Sequence, residues 1–152
     1  MTINELYEEL RKDENLMEFN PPITDTEITK FQSKNGIAIP PALIELYELF
    51  NGGEIYIPGT LIFGVNVDDS AMPRTVKHEN RSSKRNALSI PNNYLIFGKL
   101  NYGDILCINL NNPYDVILWD HELNEQSCSW AGLSDWLEDE FVSFREYEDS
   151  QT

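Results

Sequence analysis

Apolar residues recur at every third or fourth position in four stretches of the chain, which is the spacing of one face of an α-helix. The first stretch begins after Thr2 and the second after Thr24, and each threonine is followed three residues later by a glutamate, as in a capping box. The third stretch begins at two prolines, which suit the first turn of a helix. The sequence therefore predicts helices over residues 3–12, 24–36, 40–50 and 130–144.

Short apolar runs bounded by Gly, Pro and Asn residues, which are typical of β-strands, occupy much of the remainder. In residues 104–110 apolar side chains fall on both faces of an extended chain, which favours a central strand. The short Asn-Pro connection after that run favours antiparallel neighbours. The predicted strands are residues 54–57, 60–66, 94–98, 104–110 and 115–120.

This order of elements predicts a single α+β domain over residues 1–152. N-terminal helices precede a mainly antiparallel sheet of about five strands, and the C-terminal helix packs on that sheet. We expect residues 146–152 to fray. A chain of 152 residues is long enough for one domain with its own hydrophobic core.

The sequence Asn51-Gly52-Gly53 raises the question of a phosphate-binding loop. Such a loop follows a strand and precedes a helix, whereas these glycines follow a predicted helix. Asn51 and Gly52 tolerate positive φ angles, so we expect them to end that helix and turn the chain. A second glycine pair, Gly98 and Gly103, lacks the lysine that a phosphate loop needs. Both pairs are predicted to be turns.

Residues 67–92 form a long polar connection that holds five of the six basic residues of the middle third. A basic cluster suggests nucleic-acid binding, but no aromatic residue is interleaved with this one. We therefore favour a mobile, solvated loop, and leave open whether it folds back on the protein's own acidic surface. The five basic residues are Arg74, Lys77, Arg81, Lys84 and Arg85.

The charge of the chain is strongly negative and uneven. The 11 Lys and Arg residues against 26 Asp and Glu residues give a net charge of −15. Residues 1–50 carry −6, residues 51–100 carry +2 and residues 101–152 carry −11. Such a field repels nucleic acid and anionic lipid and attracts basic partners. The alternative is that the acidity only keeps the protein soluble.

The N-terminal ten residues lack the basic and apolar regions of a signal peptide, and no apolar run approaches the roughly 18 residues of a membrane span. We therefore expect a cytoplasmic protein that binds no membrane. Its two cysteines, Cys107 and Cys128, match no zinc or redox spacing and are expected to be reduced.

Candidate catalytic residues are few. The chain has two histidines, His78 and His121, and no Gly-x-Ser-x-Gly sequence. Cys107 lies in an apolar strand and is expected to be a small core residue, not a nucleophile. Asp120, His121 and Glu122 carry metal-ligand side chains, but no HExxH sequence or second histidine cluster accompanies them. We therefore predict no catalytic residue, no metal and no cofactor.

Over residues 18–145, the order and spacing of these elements and their motifs resemble those of the SUKH (Smi/Knr-like) superfamily. The similarity lies in a helix that ends in Asn-Gly-Gly, a strand at 60–64, a Gly-Asp turn, a strand that ends in Trp-Asp and an acidic, aromatic-rich final helix. By their residue types, most of the matching positions look like fold determinants in turns or in the core. They are Pro40, Asn51, Gly52, Gly53, Gly64, Gly103, Asp104 and Trp119.

The resemblance implies a non-enzymatic bacterial immunity protein that binds and neutralises a toxin. Many toxins met by this superfamily are nucleases, so the implied partner is a basic protein and not nucleic acid itself. Some fungal relatives are regulators, so the alternative is an intracellular regulatory or scaffolding module with no toxin partner. The oligomeric state stays open. The candidate contact residues are Asp120, His121, Glu122, Asp135, Glu138, Asp139 and Glu140.

Overall fold

The computed structural model describes residues 1–66 and 75–151. Within these residues the chain forms six α-helices, one 3-10 helix and seven β-strands. The helices are α1 (Ile3–Leu10), the 3-10 helix (Arg11–Leu16), α2 (Asp25–Asn35), α3 (Pro41–Leu49), α4 (Val76–Glu79), α5 (Ser82–Ala87) and α6 (Leu133–Ser150). The strands are β1 (Met17–Phe19), β2 (Gly53–Ile55), β3 (Thr60–Ile62), β4 (Tyr94–Lys99), β5 (Ile105–Asn109), β6 (Val116–Asp120) and β7 (Glu125–Trp130).

The strands form one antiparallel sheet in which each strand pairs with its neighbour in the chain, in the order β1 to β7. The predicted α+β class, the N-terminal helices and the five predicted strands are confirmed, with β5 in the interior of the sheet. Two strands, β1 and β7, were not predicted. Strand β7 has almost no apolar residues and Glu125–Ser129 are exposed, so its sequence gives no burial pattern.

Helices α1, α3 and α6 pack on one another, and α6 also packs against the sheet. Trp136 of α6 is fully buried, and its ring meets the Phe97 ring edge-on at a centroid distance of 5.5 Å. The first turns of α1 and α2 are capped as predicted, because the side chains of Thr2 and Thr24 accept from the N–H groups of Glu5 and Glu27. Gly36 ends α2 in the left-handed conformation with φ of 62°.

The segment after residue 75 packs against the sheet, so the prediction of a solvated loop is wrong there. Its Val76 side chain is fully buried. Asn80 bonds the backbone of β4, donating to the carbonyl oxygen of Ile96 and accepting from the N–H of Ile96. Arg85 donates to the carbonyl oxygens of Pro91 and Tyr94. Residues 67–74 of that predicted loop, including Arg74, lie outside the described residues.

Helix α6 extends to Ser150, six residues beyond its predicted end, so the prediction of fraying is wrong for residues 146–150. Arg145 of α6 explains the ordered helix end. Its guanidinium pairs with Asp13 of the 3-10 helix at 2.9 Å and with Glu148 at 3.3 Å. The N-terminal and C-terminal parts of the chain are therefore tied together by an ion pair.

Candidate functional site

Asn51, two residues after α3, holds the loop that follows β3. Its side chain is buried; Nδ2 donates to the carbonyl oxygen of Val65 at 2.6 Å, and Oδ1 accepts from the N–H of Val65 at 2.8 Å. Of the two residues expected to turn the chain through a positive φ, Gly52 has one (75°) and Asn51 does not; the second positive angle belongs to Gly53 (140°). Asn51 is instead a side-chain bridge between two loops.

Gly52 and Gly53 allow backbones to approach closely. A Cβ atom at Gly52 would lie 2.5 Å from the carbonyl oxygen of Ile62, and one at Gly53 would lie 1.9 Å from that of Glu18. Both contacts exclude any side chain. These glycines form a turn after a helix, which is the reverse of the order in a phosphate-binding loop.

Three further motif positions are in structural contacts. Pro40 precedes the first residue of α3 with φ of −60°. The carbonyl oxygen of Gly64 accepts from the N–H of Val76 at 3.0 Å, which joins the segment just after β3 to the start of α4. Trp119 Nε1 donates to the carbonyl oxygen of Leu88 at 2.9 Å, so this ring anchors the segment after α5. Each contact fixes the fold.

Gly103, Asp104 and His121 connect the β4–β5 turn to the β6–β7 turn. Gly103 has φ of 107°, and a Cβ atom there would lie 2.9 Å from the His121 ring. Asp104 Oδ1 lies 2.6 Å from His121 Nδ1 and accepts from the N–H of His121 at 3.1 Å. Gly103 and Asp104 therefore both contact His121 of the neighbouring turn.

Asp104, Asp120 and His121 bring two carboxylate oxygens and a ring nitrogen within 4.8 Å of one another. Hydrogen bonds within the turns account for this grouping. Asp120 Oδ1 accepts from the N–H groups of Glu122 and Leu123 at 2.8 and 2.9 Å, and these bonds lower the pKa of Asp120. The residues after β6 form a turn instead of continuing the strand, which is why Asp120 and His121 converge.

The thiol of Cys107 is unsuited to nucleophilic catalysis. It is fully buried in β5, and burial raises its pKa to about 12. A thiol with such a pKa is almost wholly protonated at neutral pH. Cys128 is exposed on β7.

The acidic residues of α6 do not share one environment. Asp135 and Asp139 are exposed, and Asp139 accepts from Trp130 Nε1 at 3.1 Å. Glu138 accepts from the N-terminal ammonium group of Met1 at 2.8 Å. The helix carries seven acidic residues and one basic residue, Arg145, whose charge is already paired. An exposed acidic stripe therefore remains along α6.

The other candidate group is separate from that stripe. Asp120, His121 and Glu122 lie at the β6–β7 turn, and no hydrogen bond or ion pair among the described residues joins them to α6. Glu122 is exposed, 4.0 Å from His121 Nε2. The seven candidate contact residues are thus spread over two acidic regions.

Glu140 differs from its neighbours because it is half-buried at a pocket of about 370 Å³. The Thr60 hydroxyl donates to its Oε2 at 3.4 Å. Burial raises the pKa of the Glu140 carboxyl, and the nearby Asp139 charge adds to that rise. The pocket walls come from the β2–β3 turn, the β4–β5 turn and α6, and include Tyr56, Pro58, Thr60, Tyr102 and Phe144.

Sequence reasoning placed Glu140 on the solvent face and missed the pocket. Tyr56, Thr60 and Tyr102 lie 38 to 84 positions away from it in the chain, and no local pattern connects them. The one available signal was Tyr102, an aromatic residue in a predicted turn, where it is 61% exposed. An exposed aromatic ring in a turn is often a contact residue.

Across residues 1–66 and 75–151, no helix has the length and apolar character that a membrane crossing requires. The family model described as SMI1 / KNR4 family (SUKH-1) matches residues 22–139. A comparison with curated individual proteins finds no match. The matched region begins before α2 and ends within α6, so it includes the Asn51 bridge, the Gly103–His121 contact and most of the sheet.

Proposed function

Because the chain belongs to the SMI1 / KNR4 family (SUKH-1), we propose that it is a non-enzymatic immunity protein that binds and neutralises a cognate bacterial toxin. The observation that carries this proposal is the exposed acidic stripe of α6, in a C-terminal third whose net charge is −11. The protein acts as a single domain in the cytoplasm.

The toxin is a basic nuclease. A nuclease active site is built to hold a polyanion, so an acidic protein surface can occupy it in place of nucleic acid. Opposite charges also speed association, which favours capture of a toxin before it reaches nucleic acid. The exposed residues Asp135, Asp139 and Glu146 provide such a surface along one helix.

The β6–β7 turn forms the second part of the contact surface. Asp120 and Glu122 add two carboxylates there, and Glu125 follows at the start of β7. Because Glu125–Ser129 of this edge strand are exposed, a partner can approach both the turn and the strand. A concave basic active site would therefore meet acidic groups from two elements.

A growth assay tests this function directly. A toxin domain encoded beside the gene for this protein is expressed in a sensitive host, alone and together with this chain. We expect the chain to restore growth and to copurify with the toxin at low salt, with less copurification at high salt. A toxin domain from an unrelated locus is the specificity control.

Two results would contradict the proposal. The first is continued killing when both proteins are expressed and folded. The second is stable capture of acidic or housekeeping host proteins without any toxin, which would favour a regulatory or scaffolding module.

A further inference from the structure

The Glu140 carboxylate is half-buried without a cation beside it. None of the ion pairs in the described residues includes Glu140, and its hydrogen bond from Thr60 is long at 3.4 Å. A partly desolvated carboxylate without a counter-charge costs stability. Among the acidic residues of α6, Glu140 is therefore the one whose position calls for a positively charged partner.

A second polar group at this pocket has no hydrogen-bond partner within the described residues. The Tyr56 hydroxyl is buried, and Tyr56 lines the pocket beside Phe144. The Nε1–H of Trp136, one helical turn before Glu140, also has no acceptor at ordinary hydrogen-bond geometry, but it acts on the Glu140 carboxyl as a donor and lowers its pKa. Buried polar groups nearly always have partners, so the Tyr56 hydroxyl and the weakly bonded Glu140 carboxyl indicate an incomplete site.

The pocket walls have the chemistry of a cation site. Tyr56 and Phe144 stack with a centroid distance of 4.0 Å, and Tyr102 stands at the rim with 61% of its surface exposed. Aromatic faces attract cations, and an arginine guanidinium can stack on a ring while it donates two hydrogen bonds to a carboxylate. The volume of about 370 Å³ is at the small end of ligand sites, as suits a single side chain.

We propose that the Glu140 pocket binds an arginine side chain of the basic partner, with Glu140 as its counter-charge and Tyr102 as its aromatic wall. The presence of that partner rests on the proposed immunity function, whereas the affinity of the pocket for a guanidinium group does not. The arginine enters from the open side, between the two turns and α6. The exposed acidic stripe steers the partner, and this pocket anchors it.

The first test uses a blocked arginine, N-acetyl-arginine methylamide, as the probe in an NMR titration of the full chain. We expect saturable shifts at Thr60, Tyr102 and Phe144. Blocked citrulline, the uncharged analogue of nearly the same shape, should bind at least about tenfold more weakly. Equal binding of citrulline, or tighter binding of blocked lysine, would overturn the assignment of an arginine site.

Two variants locate the site. Glu140→Gln keeps the shape of the side chain and should weaken arginine binding about tenfold. Tyr102→Ala should also weaken arginine binding, and the fold should tolerate this truncation because Tyr102 is exposed. Glu48→Gln, which removes one exposed charge from α3, a helix that does not line the pocket, should leave the affinity unchanged. Unchanged affinity in the folded Glu140→Gln variant would reject the proposal.

The two proposals fail in different ways. If the chain protects cells from a toxin and Glu140→Gln binds that toxin normally, the pocket assignment fails and the immunity function stands. If blocked arginine binds as described but no toxin is neutralised, the pocket assignment stands and the immunity function fails.

Discussion

One oxygen of Asp104 holds both the backbone and the ring of His121, with the N–H of His121 at 3.1 Å and Nδ1 at 2.6 Å. Asp104→Ala removes both bonds, so we expect the free energy of unfolding to fall by about 2–3 kcal/mol. Asp104→Asn keeps an oxygen acceptor and should lose less. Urea denaturation measures both, and an Ala variant as stable as the wild type would show that the contact is dispensable.

Gly103 lies against the same histidine, and its substitution has two separable costs. In Gly103→Ala, the new Cβ meets the His121 ring at 2.9 Å, and the residue must also keep φ of 107°. We expect a loss of more than about 1 kcal/mol. In a His121→Ala background only the backbone cost remains, so the same substitution should be milder there. An equal loss of unfolding free energy in the two backgrounds would show that the contact between the new Cβ and the His121 ring costs nothing.

Asn51 satisfies two backbone groups of Val65 with one amide. Asn51→Ala leaves both groups buried without partners, so we predict a loss of about 2–4 kcal/mol in the free energy of unfolding. Asn51→Asp keeps the acceptor but turns an oxygen toward the Val65 carbonyl, and should be nearly as damaging. Asn101→Ala, at an exposed position with one long hydrogen bond of 3.3 Å, is the matched control in the same denaturation experiment.

Glu140 should make the stability of the protein depend on pH. Burial raises its pKa, so the folded protein binds this proton more tightly than the unfolded chain does. Its contribution is therefore fully present below the ordinary glutamate value of 4.5 and is lost as pH rises through the folded pKa. Glu140→Gln avoids that loss.

The corresponding measurement is the urea midpoint of wild type and Glu140→Gln at pH 7 and below pH 4.5. The variant should be more stable at pH 7, and its advantage should shrink in acid. Asp139 is the charged neighbour that raises the same pKa, while Thr60 and Trp136 lower it, and all three are unchanged in the comparison. A variant less stable than wild type at pH 7 would refute this account.

Charge reversal on α6 tests the steering surface. Asp139→Lys with Glu146→Lys changes two exposed residues of the helix, and we expect at least a tenfold slower association with the toxin at low salt. Glu45→Lys with Glu48→Lys makes the same change in net charge on α3 and should slow association less. The association rates are measured by stopped-flow kinetics at several salt concentrations. Equal slowing by the two pairs of substitutions would contradict a binding surface localised on α6.

Burial patterns explain which elements could be predicted. Helix α3 has apolar side chains at helical spacing and strand β5 is an unbroken apolar run, because both pack into the core. Residues Glu125–Ser129 of strand β7 are exposed, so the sequence of β7 has no apolar pattern that would predict its pairing with β6. Its register also shifts near Ser127, which no local rule would indicate.

Contacts between distant residues explain what could not be predicted. The segment around Asn80 and Arg85 reads as a polar loop, and its structure depends on hydrogen bonds to the backbone of residues on β4 or just before it. Glu140 has the sequence context of an exposed helical acid, and its burial depends on Thr60 and the two neighbouring turns. Neither environment exists until the chain has folded.

The order of the strands has a consequence for how the protein folds. Every strand lies beside its neighbour in the chain, so strands β4 to β7 can form by successive hairpins with short loop closures, whereas the links between β1 and β2 and between β3 and β4 are longer and contain helices. The contact between α1 and α6 is different, because it joins the two ends of the sequence. We therefore expect the packing of α1 against α6 to form late during synthesis, only after α6 has left the ribosome.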